Sequence, residues 1–157
     1  MTPVMEIMPF VFAMNHTLES MADLAMGGGV MQEVAPQEEL DIRSDITAVI
    51  GIHGSSPANL ILGASGTTAR SIASRITGRE VGVDDPLLLD TFGEILNMIV
   101  GAAQRGSEVK FSFSLPIAAR GEEHAIDPPR NTSVRLCRAP SPVGELFLVL
   151  VNTGSEE

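Results

Sequence analysis

The sequence has neither tryptophan nor tyrosine, one cysteine and one lysine. Without large aromatic rings it offers no platform on which nucleic-acid bases could stack. Its core must be aliphatic and rich in methionine, helped by six phenylalanines. Cys137 alone can form no internal disulfide, and cysteine-based zinc sites are excluded. Lys110 is the only lysine, and ten basic side chains stand against twenty acidic ones, a net charge of -10. Such a surface repels phosphate backbones and anionic lipid, so neither nucleic acid nor a membrane is an expected partner. There is no basic leader segment, and no uninterrupted apolar run near the roughly 18 residues that a membrane helix needs. The expectation is a cytoplasmic protein.

What is present fits a globular chain. At 157 residues and 44% apolar, one domain with a single substantial core is expected, spanning about residues 7–151. Ile7 to about Met26 keeps a helical period, with Phe10, Met14, Leu18, Met21 and Leu24 on one face, until Gly27-Gly28-Gly29 stops it. Val30–Val34 reads as a short strand, and the acidic stretch Pro36–Asp41, with Glu38 and Glu39, as a loop. Ile46–His53 and Ala58–Leu62 form a hairpin around Gly54-Ser55-Ser56-Pro57. Ser65 is placed to cap a second helix that ends at Gly78. Asp85-Pro86 supplies the cap and first residue of a third and longest helix, reaching about Gln104. Glu108–Leu115, Asn131–Cys137 and Glu145–Val151 read as strands. In the first of these Val109, Phe111, Phe113 and Leu115 alternate with polar residues. Glu122-Glu123 reads as a solvated loop and His124 as part of a turn. The order predicts a hairpin-rich, mixed or antiparallel sheet covered on one face by helices.

Most chemical motifs fail on inspection. Gly63-Ala64-Ser65-Gly66-Thr67-Thr68 has no lysine of the phosphate-loop kind and reads as a capped strand-to-helix turn. His16, His53 and His124 lack ligand spacing, and no nucleophile-elbow sequence accompanies them. Asp84-Asp85 belongs to a helix start, where carboxylates meet free amides.

The third helix is different. At 100° per residue, Asp90, Glu94, Asn97 and Gly101 fall in one narrow stripe, while Leu88, Leu89, Phe92, Ile95, Leu96 and Ile99 make the opposite, core-facing side. An amide and a carboxylate one turn apart on the outer face are not demanded by packing. Gly93 and Gly101 each cost a helix about 1 kcal/mol against alanine, and their use is to let another backbone or a partner come close. No second acid faces Glu94 as glycosidase chemistry would need. The pair is an incomplete site unless a partner brings the labile group.

This stripe resembles the hallmark of the CheX-like chemotaxis phosphatases, related to CheC and FliY. That hallmark is an acidic residue or serine, three residues, glutamate, two residues, asparagine, and a proline further on. Asp90, Glu94 and Asn97 match it, and Ser114-Leu115-Pro116 resembles the later Ser-Leu-Pro. Pro9-Phe10-Val11, Ile50-Gly51-Ile52 and Ala73-Ser74-Arg75-Ile76-Thr77-Gly78 also sit where the family has similar segments. The link from Asn97 to Pro116 is shorter than in the family, the deletion falling at Gln104-Arg105-Gly106-Ser107, and this implies an early end to the third helix. Only one complete motif is present: in the first helix Glu19 is followed by Ala22 and Asp23 where a second asparagine would be wanted.

The resemblance implies an α/β two-layer sandwich, with long helices on a sheet of about six strands, that pairs as a homodimer through an edge strand. Glu108–Leu115 and Glu145–Val151 are the candidate edges. It implies a phosphatase acting on the aspartyl phosphate of a CheY-like response regulator. Asn97 would hold the attacking water, and Glu94 would pair with the regulator's lysine. Asp90, Gly93 and Gly101 would be partner-binding positions. The chain would carry no cofactor or metal of its own, the Mg²⁺ belonging to the regulator. The alternative left open is a non-catalytic binding or scaffold module of the same fold.

Overall fold

The computed structural model describes residues 5–34, 42–126, 128 and 132–154. The elements run α1 (Met8–Ala22), β1 (Val30–Val34), β2 (Arg43–Gly54), β3 (Ala58–Ala64), α2 (Gly66–Thr77), α3 (Pro86–Arg105), β4 (Phe111–Phe113), β5 (Ile117–Ala125), β6 (Ser133–Ala139) and β7 (Leu146–Asn152). Every strand pairing is antiparallel. The order across the sheet is β1-β6-β7-β3-β2, after which β4 and β5 share the far side of the long strand β2.

Alternation along the strands sends Ile46, Ala48, Ile50 and Ile52 of β2, Leu60 and Leu62 of β3, and Leu146, Leu148 and Leu150 of β7 into one main core with the three helices. The central strands are apolar on their other face too. Ile61, Val134, Leu136, Val149 and Val151 form a second cluster there with Val34, Ile42 and Ile126. α3 has the length and mean hydropathy of a membrane span, but half of it is buried inside the protein. Its apolar side, including Leu88, Phe92, Leu96 and Ile99, is core.

Local chemistry sets the helix ends. Ser65 caps α2, its Oγ accepting from Thr68 N at 3.2 Å, and Gly78 closes the helix in the left-handed region at φ 74°. Asp85 Oδ1 accepts from Leu87 N at 2.9 Å, with Pro86 as the first residue of α3.

Several expectations change. α1 ends at Ala22, not near Met26, because Asp23 turns left-handed at φ 49°. Arg75 of α2 donates to the carbonyls of Ala22 and Asp23 at 3.2 and 3.0 Å. The strand expected over Glu108–Leu115 shrinks to Phe111–Phe113. Ser107 folds the chain before it, its Oγ accepting from Val109 N and donating to Val109 O, so Val109 stays exposed. Residues 122–124 are neither loop nor turn but part of β5, the seventh strand of a sheet expected to have about six. Among the described residues β5 has no strand partner on its outer side. Ala118 packs on the main core, but no β5 residue is fully buried, so strict apolar alternation is not needed. β7 lies between β3 and β6 and is no edge. The expected loop Pro36–Asp41 lies outside the described residues, as does Asn131.

Candidate functional site

The site is built on α3. Phe92, Ile95, Leu96 and Ile99 are buried, as their phase on the helix predicts. On the outer stripe Asp90 and Glu94 are exposed and Asn97 is half-buried, less open than the sequence suggests. Among the described residues, neither Glu94 nor Asn97 is engaged by a side-chain hydrogen bond or ion pair. A carboxylate acceptor and an amide, which both donates and accepts, therefore stand side by side with unused capacity.

The glycines of α3 face the chain's own β4–β5 edge. A Cβ on Gly93 would lie 3.7 Å from Pro116 Cγ and 4.0 Å from Ala118 Cβ, and one on Gly101 would lie 3.9 Å from Phe113 Cζ. At these separations a Cβ would make ordinary contacts, so neither glycine is required for the β4–β5 edge to lie against the helix. Gly93 is itself buried and Gly101 half-buried. The Ser114-Leu115-Pro116 segment is thus brought against the Glu94/Asn97 helix, with Pro116 seated one residue before Glu94 in α3.

The path of β5 beside α3 is fixed by residues that sequence reasoning missed. Asp45 Oδ1 accepts from Glu123 N and Oδ2 from Gly66 N, each at 2.7 Å. The Glu123 N–H, then that of Gly66, hold the Asp45 carboxyl below its ordinary value. Arg120 Nη1 donates to Val83 O at 2.7 Å, joining β5 to the turn that leads into α3. No local signal marked Asp45, because the amides it holds lie 21 and 78 residues away in sequence.

Of the three histidines, His16 and His53 are exposed on α1 and at the end of β2. His124 is half-buried, with Nε2 2.7 Å from Thr47 Oγ1 and Nδ1 3.1 Å from Gly121 O. The structure gathers none of them at the α3 stripe. Gly63–Thr68 is the capped strand-to-helix turn expected, with Gly66 N turned to Asp45. Glu19 on α1 is exposed.

Residues 46–137, more than half of the chain, match the family model described as chemotaxis phosphatase CheX. The chain belongs to the CheX family. Solved structures agree on the CheX fold. A CheX chemotaxis protein from Vibrio vulnificus superposes with a TM-score of 0.83 at 22% identity, over 93% of this chain and 97% of that one. The CheX of Desulfovibrio desulfuricans gives 0.80 at 21%, over 93% and 97%. A complex of CheX with CheY, BeF3 and Mg²⁺ from Borrelia burgdorferi gives 0.72 at 19%, over 96% and 98%. No curated protein matches by sequence.

Proposed function

We propose that this CheX-family protein accelerates hydrolysis of the aspartyl phosphate on a CheY-like response regulator. The observation that carries the reading is the outward stripe of α3, where Glu94 and Asn97 stand unengaged by the rest of the described chain. A recessed pocket could not admit another protein's phosphorylated aspartate, whereas a helix face can be laid into it. The family's description as a phosphatase supports this assignment. So does the Borrelia burgdorferi neighbour, which is a complex with CheY.

In this proposal Asn97 enters the regulator's site and holds a water in line with phosphorus. A neutral amide can donate to and accept from that water without repelling the phosphoryl oxygens. An acyl phosphate has a good leaving group, so positioning matters more than a strong base. Glu94 meets the regulator's lysine. A carboxylate directed at the phosphate itself would be repelled, so its value lies in holding a cation and fixing the docked geometry. Asp90, one turn before Glu94, touches the partner's rim, and Gly101, one turn beyond Asn97, lies at the other end of the stripe. Gly93, buried beneath the chain's own Pro116, is closed to a partner. The Mg²⁺ belongs to the regulator, and this chain contributes no metal ligand. The protein works as a homodimer joined through an edge strand and acts in the cytoplasm.

The test is the lifetime of the phosphorylated regulator. Wild type should shorten it, and Asn97→Ala should lose on the order of 10²-fold or more of that acceleration while still binding. Equal decay with wild type and Asn97→Ala would remove Asn97 from the chemistry. Binding by wild type with an unchanged lifetime would make the protein a non-catalytic module instead.

A further inference from the structure

The β4–β5 edge beside the α3 stripe is irregular at one point. Ile52 pairs with Phe113, and Val49 with Ile117. Between these pairs β2 has two residues, Ile50 and Gly51, while the other side has three, Ser114, Leu115 and Pro116. Ser114 stays in register, its N–H donating to Gly51 O and its Oγ accepting from Gly51 N, both at 2.9 Å. The extra residue is therefore taken up at Leu115–Pro116. Such a bulge bends the strand and re-aims a side chain. Proline, with no N–H to donate, is tolerated at a bulge or an edge. Pro116 faces Gly93 of α3, its Cγ 3.7 Å from where a Cβ on that glycine would stand. Leu115, one Cα step of about 3.8 Å away, is left 85% exposed, the most open large hydrophobic side chain among the described residues.

We infer that Leu115 is the apolar anchor by which the response regulator is docked beside Glu94 and Asn97, an inference that rests on the function proposed above. Its occupant is an apolar spot on the rim of the regulator's phosphorylated site. The patch adjoins the catalytic stripe through Pro116, which faces Gly93, the residue before Glu94. One leucine is far smaller than the roughly 800 Å² per partner that a stable interface buries. It suits a transient encounter in which a single well-placed side chain dominates. A second copy of this chain is a poor occupant, because pairing this face with itself would set Asp90 and Glu94 against like carboxylates on a protein of net charge -10. Ile117 serves as a contrast. It is 74% exposed, but it pairs with Val49, which packs against the cluster on the sheet face away from the helices.

The experiment measures two quantities for wild type, Leu115→Ser, Leu115→Met, Ile117→Ser and Asn97→Ala. One is affinity for the beryllofluoride-loaded cognate regulator. The other is phosphate release from the phosphorylated regulator against concentration of this protein. Leu115→Ser should weaken binding about tenfold or more and raise the half-saturating concentration equally, with the maximal rate within about twofold. Leu115→Met should restore most of the affinity, and Ile117→Ser should match wild type in both. Asn97→Ala should lose maximal rate with affinity largely kept. Unchanged affinity in Leu115→Ser overturns the anchor and leaves the phosphatase reading standing. Binding without accelerated release by wild type overturns that reading, while the affinity arm still decides the anchor. A wild type that neither binds nor dephosphorylates the regulator overturns both. A change in light-scattering mass of Leu115→Ser also overturns the anchor, because the leucine would then serve self-association.

Discussion

Asp45 has no place in the proposed chemistry, yet it holds three segments together. Its two oxygens satisfy the first amide of α2 and an amide of β5 at once. Asp45→Asn keeps the shape but presents an NH₂ group to one of those donors. A charge-assisted bond is lost and a donor is left facing a donor, which by analogy with helix caps costs about 1–2 kcal/mol. The carboxyl titrates lower in the folded protein than its ordinary 3.8. Its contribution is therefore complete above that value and is lost as pH falls through the lower, native one. Urea midpoints should separate wild type from Asp45→Asn at pH 7 and converge as the pH is taken below 3.8. A gap that is constant with pH would show that the ionised form is not what matters.

At the scale of elements, α3 carries both the core and the site. Gly93→Ala isolates one of its compromises. The new methyl would meet Pro116 and Ala118 at 3.7 and 4.0 Å, ordinary van der Waals separations. Helix propensity then favours the variant by up to about 1 kcal/mol. Equilibrium unfolding should show a protein as stable as wild type or more so. A loss of stability would mean that the helix must approach β5 more closely than these distances allow. α3 was legible in the sequence because its signals are local: Asp85 and Pro86 at the start, and a 3.6-residue apolar period through Leu88, Phe92, Ile95 and Ile99. The hairpin β2–β3 and the cap of α2 were legible for the same reason. β5 was not. Its polar run Gly121-Glu122-Glu123-His124 resembles a loop, and it becomes a strand only because Asp45 and β2 bind it from about 80 residues away.

For the whole molecule, strand order was the hardest property to read, because it depends on pairings between segments far apart in the chain. Glu145–Val151, with its long apolar run, was a candidate edge but is an inner strand, buried on both faces between β3 and β6. Among the described residues the edges are β1 and the β4–β5 side. Since β5 adjoins the α3 stripe, a homodimer that keeps the site open should pair through β1, four of whose five residues are exposed. Light scattering at micromolar concentration should give twice the 16.6 kDa chain mass. A mass of one chain, independent of concentration, would leave β1 as a bare edge. The α3 stripe was readable from spacing alone, but its setting was not. The seat of Pro116 on Gly93 and the bulge at Leu115 follow from sheet register, which no local pattern encodes.

Cys137 lies in β6 opposite Met31 of β1. Its thiol is buried and pushed up to about 11. At pH 8 only about one native molecule in a thousand would carry the reactive thiolate, and that one is sealed from solvent. A thiol reagent therefore modifies the protein only when the sheet opens, and it modifies a single atom. The lone cysteine, part of the main core, is a built-in clock for any opening that uncovers it, the parting of β1 from β6 included. If two copies join along β1, that clock should run slower as the protein is concentrated.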